Sequence, residues 1–383
     1  MELPVLSGAG AMLAFMALSF AVSIGTSAVP AALTGASDYF ASAVNSVVSS
    51  VIALLVVLVA LPVYGAAALG AAQLLATLGA RGYLILRLRR RLAWFGLRPV
   101  RLVWSAAQVI GRSSIPLLVV GASGQVISWA AMVVVGISGG APSAAILRVA
   151  MLVPAQSTAL LYRAYDVIFP RLSAADACAQ IRATVILTRA FSALAGVMAA
   201  TLIVLRADVT RLLIGQDSTE AQRLLVSFTI MWVMNVPAHG VALLAIVRGR
   251  QRALTPIVTS EAIMNILLTI VLVDHFGIQG AGWAAVLSLG LFNLVVLPVV
   301  LHRHMEGVFR IVGGGLLSLL VCAGVSLLVL FEFSTRMQGH GRLLGIVGMS
   351  PLLGLLAVAT GVGAKGRAAM RAGLRKGGDK FVP

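Results

Sequence analysis

Residues 275–288 read HFGIQGAGWAAVLS, and residues 63–76 read VYGAAALGAAQLLA. In both, an aromatic residue precedes a glycine (Tyr64–Gly65, Phe276–Gly277), and small residues then open an apolar run, with Gly70 matching Gly282 and Ala72 matching Ala284. The upstream stretches correspond as well. GASDYFASAVNSVVSSVIALLVVLV (35–59) and GRQRALTPIVTSEAIMNILLTIVLV (249–273) each begin polar and become apolar. Both copies end on basic residues, RLRRRL at 87–92 and HRHM at 302–305. A polar start, an apolar span, an aromatic-glycine turn and a small-residue span therefore occur twice in the same chain direction. The pattern predicts parallel repeats related by an axis along the membrane normal. The competing explanation is that Gly and Ala recur wherever membrane helices approach closely.

Composition decides the solvent. Of 383 residues, 60% are hydrophobic and 11% charged, against about 25% charged in an ordinary soluble domain. Apolar runs near the ~20 residues a bilayer-crossing helix needs recur along the whole chain, and lipid leaves them no option but helix. The expected spans are 8–32, 39–61, 66–87, 106–137, 144–168, 184–205, 223–247, 254–273, 278–301, 310–332 and 343–363. The fold class is thus all-α, a polytopic transmembrane bundle of about eleven helices. Two pseudo-symmetric bundles around a central cavity follow if the repeat is real. Cys178 and Cys322 make neither a disulfide framework nor a metal set, and no cofactor is expected.

The net charge of +17 sits in short connections, so it speaks of topology and not of nucleic acid. Alternate connections (87–101, 163–189, 248–252, 302–310 and the tail) hold 21 of the 29 Lys and Arg, and the opposite ones hold five. The rich side is the cytoplasmic one, which puts the C-terminus inside and the N-terminus outside. The domain reading is a partial N-terminal bundle over 1–92, a basic linker over 93–105, a C-terminal bundle with an extra helix pair over 106–363, and a basic tail over 364–383.

The string GRQRALTPIVTSEAIMNILLTIVLVDHFGIQGAGWAAVLS (249–288), with YRAYDVIFPRLSAAD (162–176), resembles the O-antigen-type polysaccharide flippases of the multidrug/oligosaccharidyl-lipid/polysaccharide exporter superfamily. The resemblance is sequence-specific over about 162–176 and 249–290 and extends elsewhere only in hydropathy. It implies a bacterial inner-membrane transporter, not an enzyme, that moves a polyprenyl-diphosphate-linked oligosaccharide by alternating access. Its implied partners are that lipid-linked oligosaccharide, membrane lipids, and a glycan polymerase or glycosyltransferase complex. Family members carry twelve or fourteen helices. By alignment the first three are absent here, in keeping with the exterior N-terminus read from charge.

A diphosphate entering low dielectric requires cations, and arginine offers it a two-pronged fork. Arg112 and Arg148 are the intramembrane arginines expected in the second bundle. Arg148, Ala155, Ala159, Tyr162 and Asp166 follow helical spacing and suit a cavity wall. Snorkelling to headgroups is the rival explanation for either arginine, and for Arg81. Gln125 and Ser128 are candidates for sugar hydroxyls or for helix–helix bonds. Trp232, Asn235 and His239 share a stripe around Pro237, either as a cavity site or with Asn235 serving carbonyls freed by a kink. Glu261, with Asn265 one turn on, is an intramembrane carboxylate, functional by default unless it pairs with RGRQR at 248–252. Two further functions compete: a cation-coupled multidrug antiporter of the same superfamily, and a non-transporting, truncated component of a glycan-assembly complex. The few membrane acids and the arginine excess argue against the antiporter.

Overall fold

The computed structural model describes residues 8–35, 38–91, 104–173, 175–336 and 345–359. These residues are almost entirely helical, with no strand among them. The chain divides into two compact units, Met1–Arg101 and Leu102–Pro383. The division falls within the expected basic linker 93–105, most of which lies outside the described residues, as does the tail 364–383.

The first unit holds α1 (Ala9–Gly25), α2 (Ala28–Gly35), α3 (Tyr39–Tyr64) and α4 (Ala66–Arg91). The expected span 8–32 is two helices, because the chain breaks at Thr26, whose hydroxyl turns back to donate to the Val22 carbonyl at 2.6 Å. Helix α1 packs closely on α4 because Gly70 carries no side chain. A Cβ there would lie 2.6 Å from the Met12 carbonyl oxygen. Ser19 and Thr77 hydroxyls, 2.7 Å apart, join the same pair of helices. Val29, Leu33, Ala41, Leu84 and Leu88 make the unit's core.

Asp38 organises one end of this unit. Its carboxylate accepts from the Ala41 N–H at 3.3 Å, capping α3, and from Arg87 Nε at 2.9 Å, with Arg91 Nε 3.6 Å away. The Arg87 hydrogen bond is the main force holding this carboxyl below its ordinary value of 3.8. Asp38 is buried while Arg87 is about a third exposed, so solvent screens the pair and Asp38→Asn should cost only about 1–2 kcal/mol. A depressed carboxylate stabilises above its unfolded pKa and loses that contribution as pH falls through the lower folded value. Melting curves of the detergent-solubilised protein should separate wild type from Asp38→Asn more widely at about pH 7 than at acid pH below the ordinary carboxylate value of 3.8. An equal gap at both would mean that charge is not what Asp38 contributes.

The second unit opens with α5 (Trp104–Ser173), a 70-residue helical segment broken at Gly140 (φ 73, ψ −179). Unbroken it would run about 105 Å, far beyond any bilayer. It reverses instead: the Arg148 guanidinium lies over the Trp129 ring, and Ala131 and Val135 share one core with Leu147 and Met151. The positive φ suits glycine, which has no Cβ to clash. The expected spans 106–137 and 144–168 are the two limbs, joined by this turn instead of a loop. Helix α6 (Ala177–Val204) begins earlier than the expected 184, because the Asp176 carboxylate accepts from the Ala179 N–H at 2.8 Å and starts the helix there. Arg182 and Arg189 are consequently helical residues, not part of a connection. The connection expected after 205 holds the short α7 (Arg206–Ile214), closed by Gly215 in the left-handed conformation.

Helix α8 (Thr219–Val247) is capped by Ser218 and contains Pro237. Helices α9 (Gln251–Phe276) and α10 (Ile278–Leu291) meet at Gly277. A π-helical turn, Phe292–Val296, leads to α11 (Leu297–His302). Pro298, with no N–H to give, sits just past that turn, and the Leu297 N–H bonds five residues back to Phe292. Then come α12 (Val308–Arg336) and α13 (Gly345–Ala359).

The repeated motif has matching local structure. Helices α3 and α9 are each 26 residues long, and each stops at a glycine of similar conformation: Gly65 (φ 52, ψ −133) and Gly277 (φ 58, ψ −149). Gly70 admits α1, and Gly282 admits α8, where a Cβ would lie 2.9 Å from the Ser227 Cβ.

Polarity is arranged for lipid. Along α9 the buried residues include Glu261, Asn265 and Thr269, while Ile263, Leu267, Ile270 and Val271 are exposed. Along α6, Thr184, Thr188 and Ser192 are buried. Polar groups inside and large apolar groups outside invert the pattern of a soluble helix. Among the described residues eight helices are long and apolar enough to cross a membrane, and α5 counts once among them despite its reversal. The chain has the construction of a multi-pass membrane protein.

Candidate functional site

The α5 hairpin carries an exposed polar group of three residues. Trp129 Nε1 donates to Gln125 Oε1 at 3.2 Å, one helical turn away. On the other limb, the Arg148 guanidinium sits 5.5 Å from the Trp129 ring centroid, within cation–π range. All three side chains are exposed, and Arg148 forms no ion pair among the described residues. Ser128 instead donates to the Gly124 carbonyl of its own helix at 3.0 Å. The arrangement offers a cationic fork, an aromatic face and an amide on one surface.

The stripe from Arg148 does not continue as one face. Ala159 is exposed, but the Tyr162 hydroxyl is buried. Tyr162 turns inward and stacks on His239 of α8, with ring centroids 4.1 Å apart and planes 23° from parallel. Tyr165, one turn on, meets the same imidazole edge-on at 5.2 Å and donates to Thr188 Oγ1 of α6 at 3.3 Å. Two glycines make room for this group. A Cβ on Gly240 would collide with the Thr188 hydroxyl, and one on Gly315 of α12 would lie 3.1 Å from both Ser192 Oγ and Pro237 Cβ.

This interior is polar but incompletely paired. Tyr162 Oη, Ser192 Oγ, Trp232 Nε1 and His239 Nε2 are buried without a hydrogen-bond partner. Asn235 faces the Tyr162 hydroxyl but completes no hydrogen bond with it. Glu261 lies within electrostatic range of Tyr162, is 5% exposed, and has no ion-pair partner among the described residues, RGRQR included. Asn265 Nδ2 donates to Ser288 Oγ at 2.8 Å, leaving its own Oδ1 unpaired. Buried polar groups of this kind cost about 1–3 kcal/mol each unless water or a ligand satisfies them.

The structure therefore brings Tyr162, Asn235, His239 and Glu261 into one interior, and Gln125 with Arg148 onto one surface. Arg112 and Asp166 lie on α5, but their side chains fall outside the described residues. Sequence reasoning missed Trp129, Tyr165, Thr188 and Ser192. The i, i+4, i+8 run of Thr184, Thr188 and Ser192 in an apolar helix was a usable signal. The contact of Trp129 with Arg148 gave none, since it forms across the Gly140 turn. No protein-family model matches this chain, and no curated protein sequence matches it.

Proposed function

We propose that this chain is a membrane transporter for an anionic lipid-linked glycan, a flippase for polyprenyl-diphosphate-linked oligosaccharide working by alternating access in the bacterial cytoplasmic membrane. The observation that supports it most is Arg148: an exposed guanidinium, laid on Trp129, in an apolar hairpin whose sequence contains no acidic residue from Trp104 to Tyr165. An arginine at the centre of a bilayer costs roughly 2.5–3.5 kcal/mol on insertion scales, so it calls for water or an anion beside it. Arginine serves the diphosphate, the indole face packs against sugar rings, and Gln125 serves their hydroxyls. In this reading the matched hairpins at 39–91 and 251–302 are the parallel repeats of such a transporter. The basic connections face the cytoplasm with the C-terminus, the N-terminus faces out, and a glycan polymerase or glycosyltransferase complex supplies or receives the cargo.

A second reading, cation-coupled drug export, is favoured by Glu261, a buried carboxylate with no described partner. Ligand-induced thermal shifts of the purified chain separate the two. Polyprenyl-diphosphate oligosaccharide should raise the melting temperature, and bulky organic cations should not. The opposite pattern would replace the flippase reading with the antiporter.

A further inference from the structure

Helices α6 and α12 pack along their length, and their basic end holds three arginines; the acids nearest in sequence, Asp176 at the α6 cap and Glu306 just before α12, are both exposed and form no ion pair among the described residues. Arg182 and Arg189 lie seven residues apart on α6, about two turns, and Arg310 opens α12. Helix α6 contains no Asp or Glu at all, and the first on α12 is Glu332, about 27 Å along the helix from Gly314. The nearby Arg248 of α8 is already engaged: it donates from Nε to Gln180 Oε1 at 3.2 Å and from Nη2 to the Ala177 carbonyl at 2.9 Å. Arg182, Arg189 and Arg310 form no ion pair among the described residues.

Arg189 is the unusual member. It is about 18 Å into α6 from Ala177, half-buried, inside a span apolar enough to cross the membrane. Its guanidinium lies against Gly314, where a Cβ would be 2.6 Å from Nε and 3.0 Å from Nη2. Gly313 beside it opens onto empty space. The glycine thus gives the planar fork a seat against the α12 backbone while one side stays open. Gly314 is about 9 Å from the start of α12, and helical side chains point back toward the N-terminus, so the fork is aimed at the headgroup level on the basic side. Phe309, exposed beside Arg310, suits the same interfacial depth.

We propose that the α6–α12 face binds the phosphate of an anionic phospholipid, with Arg189 as its principal ligand and Arg182 and Arg310 at its rim. Charge complementarity selects the occupant: three cations without an ion-pair partner among the described residues, at the edge of an apolar surface, match a lipid that has both a phosphate and acyl chains. This site is independent of the glycan reading, because it concerns resident lipid on the other side of the unit's sequence from Arg148, and its test involves no transport.

The experiment is native mass spectrometry of the full-length chain in detergent, titrated with phosphatidylglycerol, phosphatidylcholine and soluble glycerol phosphate. Phosphatidylglycerol should be retained preferentially, and Arg189→Gln should weaken that retention by about tenfold, with Arg189→Lys recovering only part of it. Gly314→Val, which keeps the charge and removes its seat, should weaken it too. Arg211→Gln, whose exposed partner Asp217 lies 2.6 Å away, should change nothing. Equal retention of phosphatidylcholine, or unchanged binding by Arg189→Gln, overturns the proposal. Equal competition by glycerol phosphate would make this a free-phosphate site and also overturn it. If Arg189→Gln does not accumulate, the exposed pair Arg182→Gln and Arg310→Gln must still weaken retention, and unchanged retention there is equally fatal.

Discussion

Arg148→Ala is expected to lose about tenfold or more of lipid-linked glycan transport while reaching normal abundance in the membrane. The abundance half of this expectation follows from the structure: Arg148 is exposed, lies over the Trp129 face and forms no ion pair among the described residues, so removing it breaks no described ion pair. The transport half follows from the proposal, since a charge-assisted bond to phosphate is worth about 1.5–3 kcal/mol. Arg148→Lys should fall between wild type and Arg148→Ala, because the charge remains while the two-pronged geometry goes. Trp129→Leu should weaken transport less than Arg148→Ala does. Complementation of a flippase-deficient strain, normalised to membrane protein level, measures all three. Full transport by Arg148→Ala at normal abundance would remove it from the substrate path, and failure of both Arg148 variants to accumulate would make it structural.

Gly70→Val and Gly282→Val should each destabilise the protein by about 1–3 kcal/mol. At Gly70 the new Cβ meets backbone, the Met12 carbonyl oxygen at 2.6 Å and the Met12 Cα at 2.8 Å, so α1 must move off α4. At Gly282 it meets Ser227 Cβ at 2.9 Å and Ser227 Oγ at 3.1 Å, so α8 must move off α10. Gly65→Ala and Gly277→Ala meet no atom within 4 Å and should cost less, about 1 kcal/mol, because only the positive φ is strained. Thermal melts in detergent give the ranking. If the Val variants prove neutral, the small residues of the repeated motif are composition and not close packing.

Hydropathy was enough to place most of the long helices because lipid leaves an apolar run one structure, but it did not show the break at Thr26 or the short α7. The aromatic-glycine turns were legible for a related reason: a positive φ after a long apolar run asks for glycine, as Gly65 and Gly277 show. The Gly140 reversal was expected only as a connection, since GISGGAPS offers several glycines and nothing in the string says which one turns. The direction in which polar residues face was harder. In a membrane helix both faces are largely apolar, so the stripe from Arg148 to Asp166 read as one wall, whereas Arg148 is exposed and the Tyr162 hydroxyl is buried against α8. His239 and Asn235 shared a helix and were readable together. Their meeting with Tyr162 and Thr188 depends on α5 and α6 packing against α8, a long-range fact with no local signal. Arg182 was placed in a connection because the Asp176 cap, a single side chain, moved the start of α6, whereas Arg189 was counted with that connection although it already lay inside the expected span 184–205.

The central claim is that this chain moves an anionic lipid-linked glycan across a bilayer. Its most direct test is a translocation assay on the full-length protein reconstituted in liposomes with a labelled polyprenyl-diphosphate oligosaccharide, following how fast label in the inner leaflet becomes accessible outside. Wild-type vesicles should expose the label faster than protein-free vesicles, with Arg148→Ala reduced to about a tenth of the wild-type increment. Label that stays as protected as in empty vesicles, or an Arg148→Ala rate equal to wild type, would contradict the account.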